Sequence, residues 1–147
     1  MKKVILVVII NLILLVVAVA FIGRTYFPDN IAETSADGGS KQLRTRFYTK
    51  PIDDVFGAAE KTVPTLSTYG SAWKVVDKTD GGKARKIKVE VPVIVFTDDL
   101  EVTIKPADNE HEVQVDVRSQ SRVGKSDFGE NARHVRKFLA ALDEALK

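Results

Sequence analysis

Val113 to Phe138 reads VQVDVRSQSRVGKSDFGENARHVRKF, an alternating strand, a polar turn and a basic helix in one uninterrupted run. Val113, Val115, Val117, Ser119, Ser121 and Val123 share one face of the strand, and Gln114, Asp116, Arg118, Gln120 and Arg122 share the other, because side chains alternate along an extended chain. Past the turn, Val135, Phe138, Leu139, Leu142 and Leu146 recur at helical spacing. A last strand feeding a last helix, with that helix laid on the strand's valine face, sets the frame for everything upstream.

The upstream elements fit that frame. RTRFYT is a short strand; Thr49 and Pro51 open a helix whose buried stripe is Ile52, Val55, Phe56, Ala59 and Val63, and Pro64 ends or kinks it. AWKVVDK, the turn Asp80-Gly81-Gly82 and a long strand follow, with Ile87, Val89, Val91, Val93 and Val95 on one side and Lys86, Lys88 and Glu90 on the other. Pro92 predicts an edge or a bulge in that strand. Asp98-Asp99 reads as a turn into LEVTIK, whose inner side chains are Leu100, Val102 and Ile104. The expected class is α+β, an antiparallel sheet of about five strands in the order β-α-β-β-β-β-α, preceded by one transmembrane helix.

The amino-terminal segment sets the location. Residues 4 to 23 are apolar apart from Asn11, and twenty helical residues reach about 30 Å, the thickness of a bilayer core. Ala18-Val19-Ala20 is a small-x-small pattern open to signal peptidase, but the apolar run continues through Phe21 and Ile22, which favours an uncleaved anchor. Lys2, Lys3 and the amino terminus outweigh Arg24. The expectation is a single-pass protein of a bacterial inner membrane with its carboxy-terminal domain in the periplasm. Asn11 in mid-span could bond a neighbouring helix. The expected division is an anchor over 1–27, a flexible Gly/Ser/Asp-rich tether over 28–42 and a globular domain over 43–147.

Charge and composition narrow the function classes. Residues 43–147 hold 18 Lys or Arg and 17 Asp or Glu, far from the excess expected of a nucleic-acid binder. Cysteine is absent, so disulfides and thiolate chemistry are excluded. Gly124-Lys125-Ser126 imitates the end of a phosphate-binding loop, but the earlier glycine is Ser119 and Asp127 would repel phosphate. His111 and His134 lack metal-ligand spacing and read as surface residues. Ser119 and Ser121 have no nucleophile-elbow context. Neither an enzyme nor a cofactor is expected.

What remains is a polar corner formed by Arg118, Ser119, Ser121, Arg122, Asn131 and Arg133, with Asp127 and Glu130 as a capping box for the helix. The serines either allow close helix packing or line a pocket mouth. The arginines either lock the corner to nearby carboxylates or form a docking patch. Residues 98–116 carry seven acids and one base, and residues 118–137 six bases and two acids, a polarity that favours oriented docking. The expected partners are the membrane through residues 4–23 and a membrane protein, with a lipid-like ligand held between sheet and helix as the alternative.

SQSRVGKSDFGENARHVRKFL, preceded by VDVR, with LRTRFYTKPIDDVF and FTDDLEVTIKP upstream, closely resembles the uncharacterised family called domain of unknown function 1499. The likeness covers almost all of Leu43 to Leu142, and the Ser-Arg-Val-Gly-x-x-Asp-x-Gly-x-Asn run is its most specific part. The resemblance implies no activity. The element order is also similar to the helix-grip architecture of lipid-binding domains, in which a curved sheet wraps a long final helix.

Overall fold

The computed structural model describes residues 2–26, 29–37, 43–109, 111–125 and 127–147. Helix α1, Lys2–Tyr26, is long and apolar enough over Lys3–Tyr26 to cross a membrane. Asn11 donates its side-chain amide to the carbonyl of Val7 at 2.8 Å, so its polar group finds a partner one turn back within the helix. Strands β1 (Ile31–Glu33) and β2 (Arg46–Tyr48) precede α2 (Ile52–Thr62), which tightens into a 3-10 turn at Val63–Thr65 where Pro64 withholds its N–H. A small hairpin of β3 (Ser67–Thr68) and β4 (Ser71–Ala72) leads to β5 (Lys74–Gly81), β6 (Ala84–Val93), β7 (Phe96–Pro106) and β8 (Val113–Ser121), and α3 (Glu130–Ala145) closes the chain.

The main sheet is antiparallel in the order β1-β8-β7-β6-β5, and β2 shares the outer edge of β8 with β1. The fold is therefore α+β, with more strands than the sequence pattern shows. Part of the stretch expected to be a tether is a strand: Ile31, Ala32 and Glu33 pair with Gln120, Ser119 and Arg118. Three residues carry too little periodicity to be read as a strand, and this one forms because the edge of β8 offers unpaired backbone groups. The Gly38-Gly39-Ser40 centre of the expected tether lies outside the described residues.

Rows of directly opposed residues cross the inner face. Ile87, Val102 and Val117 make one row, Val89, Leu100 and Ser119 the next, and Val91, Asp98 and Ser121 the last. Asp98-Asp99 is thus not a turn. Both residues sit inside β7, and the loop is Ile94-Val95, two apolar residues between the pair Val93 and Phe96. Pro92 lies past the end of β5, whose first pair joins Lys74 to Glu90, so the expected edge exists only locally. The bulge is in β5, between Val75 and Asp77, and it leaves Val76 exposed.

Against the inner rows pack Val55, Ala59 and Val63 of α2, Val135, Phe138, Leu139 and Leu142 of α3, and Trp73, the largest fully buried side chain. Burying a residue of the size of Phe138 or Leu139 contributes about 2 kcal/mol each, so these stripes hold the helices down. Arg46 and Tyr48 of β2 clip the end of α3 by hydrogen bonds to Asp143 at 3.0 and 2.6 Å.

Candidate functional site

The alternation of β8 divides the expected corner between two faces of the sheet. Ser119 has no exposed surface and donates to Oδ1 of Asn131 at 2.6 Å. The Asn131 amide donates to Oγ of Ser121 at 2.9 Å and to the backbone carbonyl of Asn30 at 2.8 Å. Arg118 and Arg122 point to the opposite, outer face; Arg118 lies 3.7 Å from Glu33, and Arg122 grips Asp99 at 2.6 Å and Glu90 at 2.8 Å. Arg133 is on the exposed side of α3 and bonds Glu130. These six residues do not form one patch.

Asp127 accepts the backbone N–H of Gly129 and of Asn131, each at 2.8 Å. It satisfies helix-start donors from two residues before the capping position, which Gly129 occupies at φ 78°. The expected capping box is not the arrangement found: the Glu130 carboxylate turns along the helix to Arg133 and to His134, whose Nε2 is 3.4 Å from Oε1.

That turn exposes a cluster the sequence reading missed. His134 is not a surface residue; it is 2 % exposed, and its Nδ1 stands 3.6 Å from Oδ2 of Asp98, itself 3 % exposed. Ser121 sits directly opposite Asp98 in the sheet. The imidazole also meets the edge of the Trp73 ring, centroids 5.7 Å apart. Neither imidazole nitrogen has a well-formed hydrogen bond to the described residues. Burial lowers the His134 pKa from its usual value, with Glu130 opposing, and burial raises that of Asp98, with the Ser121 hydroxyl opposing. Both shifts favour the neutral forms. The signals were present: Asp98 is in phase with Leu100 and Val102, and His134 lies on the stripe of Asn131, Val135 and Phe138.

The arrangement has the residue types of a nucleophilic site but not its order. Ser121 Oγ accepts from Asn131, and the imidazole has no hydrogen bond to the described residues, whereas an activated hydroxyl needs the base as its direct partner. Among the described residues no group of three or more His, Cys, Asp or Glu is placed to hold a metal ion. Two depressions lie away from Ser119 and Ser121. One, of about 630 Å³, lies where Asp54, Ala58 and Lys61 of α2 face Ala141 and Leu146; another, of about 430 Å³, is a groove on the outer sheet face beside Val76, Lys88, Glu101, Arg118 and Gln120.

The outer face carries a row of opposed charges across five strands. Asp77 faces Lys88, Lys88 faces Glu101, Glu101 faces Arg118, and Arg118 faces Glu33. Opposite charges in directly paired positions stabilise a sheet, and here every neighbour in the row alternates in sign.

The family model described as "Protein of unknown function (DUF1499)" matches residues 28–142. The chain belongs to this family. The matched region includes β1. Among curated proteins, no relative matches the sequence. Among solved structures, a protein from Nitrosospira multiformis is similar at 14 % identity and a TM-score of 0.45, over 71 % of this chain and 94 % of that one. The Saccharomyces cerevisiae Ran-binding protein Mog1p is similar at 10 % identity and a TM-score of 0.33, over 81 % of this chain and 77 % of that one. A Thermus thermophilus protein is similar at 10 % identity and a TM-score of 0.34, over 79 % of this chain and 96 % of that one.

Proposed function

We propose that the chain is a non-catalytic, membrane-anchored module on the outer side of a bacterial inner membrane, where its open sheet face docks a protein partner as an accessory subunit. One observation carries the reading: the charge row from Asp77 to Glu33 lies on a face whose residues are exposed or half-buried, next to a groove with one exposed apolar side chain, Val76. Interspersed charges of both signs match a protein surface in register and repel a mismatched one, which is specificity by electrostatic complementarity. The segment Lys3–Tyr26 supports the anchor, and the excess of positive charge before it supports an external domain.

The alternative, an apolar ligand between sheet and α3, draws no support from the interior. Trp73, Leu100, Phe138 and Leu139 fill that space, and the serines at its mouth are bonded to Asn131. A hydrolytic role draws none either, because the His134 ring is sealed from solvent.

Photo-crosslinking in native membranes tests the docking. A crosslinker at Gln120 should give one discrete adduct that disappears in the double variant Lys88→Glu, Arg118→Glu, while a crosslinker at Lys61, on α2, gives none. Adducts insensitive to charge reversal would sink the idea. Protease added to spheroplasts should digest the domain; a protected domain would put it in the cytoplasm and overturn the topology.

A further inference from the structure

Exposed apolar residues cluster as a rim at one end of the sheet, and one of them, Phe128, meets α1. Ile94 and Val95, in the loop between β6 and β7, are 77 % and 79 % exposed, and Phe96, the first residue of β7, is 53 % exposed. The pairing of Asp98 with Ser121 places this loop beside the end of β8, from which the chain runs on through Val123 to Phe128, both exposed. The Phe128 ring lies against α1 at Gly23, so closely that a Cβ there would come within 2.6 Å of Cζ. Gly23 is three residues from the end of α1, about 4.5 Å at the helical rise. Phe128 therefore sits at the depth where a spanning α1 leaves the lipid, and the loop of Ile94 and Val95 lies at the same end of the sheet.

The backbone at this rim is also costly. Ile94 and Phe128 hold φ of 50° and 53°, a left-handed conformation that is an outlier for a β-branched residue. Tight hairpin loops ordinarily place Gly, Asn or Asp at such positions. A strained loop that presents apolar side chains to water gains nothing from that exposure, whereas an apolar surface outside the chain would offset the strain. The charge row on the outer sheet face excludes that face as the lipid-facing one. Arg24 and Lys125 are exposed near the rim and suit anionic headgroups.

We propose that the rim is a second membrane contact, in which Ile94, Val95, Phe96, Val123 and Phe128 enter the headgroup–acyl boundary of the bilayer that α1 spans. This rests on the anchored reading of α1. The rim is small, but α1 makes its contact intramolecular, and an effective concentration of about millimolar populates contacts too weak to form from solution. The domain is then held at a fixed attitude, with the charge row presented sideways to neighbours in the same membrane.

The absence of cysteine in the chain permits a direct test with single spin labels. The full chain is reconstituted in vesicles of phosphatidylethanolamine and phosphatidylglycerol, labelled singly through Val95→Cys, Val123→Cys, Lys83→Cys or Leu14→Cys, and each label's collisions with oxygen and with a water-soluble nickel chelate are compared. Oxygen should dominate at positions 14, 95 and 123, and the chelate at position 83, in the loop at the opposite end of the sheet. Lipid exposure at 14 with water exposure at 95 and 123 would overturn the rim contact and leave the anchor standing. Water exposure at 14 would remove the anchor and the rim contact together.

Discussion

Nδ1 of His134 stands 3.6 Å from Oδ2 of Asp98, with both side chains enclosed between the sheet and α3. Nε2 faces Glu130 from the other side at 3.4 Å. Asp127 and Arg133 also act on this ring, the first raising and the second lowering its pKa, but burial is the largest influence and the net direction is down. Because the folded state resists protonating His134, the unfolded chain binds the extra proton first. The stability held above the ordinary histidine pKa of about 6.5 is lost as pH falls toward the depressed folded value. Asp98 acts in the opposite sense: its raised pKa contributes stability at pH below the ordinary value of about 3.9, and this is lost as pH rises through the folded value. The comparison of wild type with His134→Gln isolates the first effect. The variant should lose less stability than wild type as pH falls below about 6.5, measured by urea unfolding of the detergent-solubilised chain with Trp73 fluorescence as the signal. Parallel pH profiles would show that the imidazole is not the titrating group.

Asn131 joins Ser119, Ser121 and the carbonyl of Asn30, tying β8, α3 and the segment that leaves α1. Replacing it with Ala strands buried donors and acceptors on three elements, a loss of about 3 kcal/mol. The midpoint of urea unfolding should fall accordingly without a change of slope. A loss below about 0.5 kcal/mol, the usual size of a surface substitution, would show that the network carries no net stability.

Ile94 tests the strain in the β6–β7 loop. Glycine adopts its φ of 50° freely, so Ile94→Gly should raise stability in detergent by about 0.5 to 1 kcal/mol, the relief of left-handed strain less the entropy of a glycine in the unfolded chain. Thermal unfolding would report it as a higher midpoint. A lower midpoint would mean that the isoleucine side chain stabilises the loop in solution, where the structure leaves it exposed.

The central elements are legible from residues taken one after another. The two-residue period of Ile87 to Val91 and of Val113 to Val117, the stripe of α2, the leucines of α3 and the apolar run of α1 are each properties of a local stretch, since a buried face repeats with the pitch of its own backbone. The same alternation already sets Ser119 and Ser121 apart from Arg118 and Arg122, although their nearness in the chain suggests one corner. Which acid faces which base is not legible. Asp98 and His134 meet across 36 positions of sequence, because strand register and helix docking bring them together. Likewise β1 owes its conformation to the free edge of β8 and not to any preference of Ile31, Ala32 and Glu33. Local pattern determined the long elements, α1 included. Pairing and packing, which act between residues far apart in the chain, decided what each polar side chain touches.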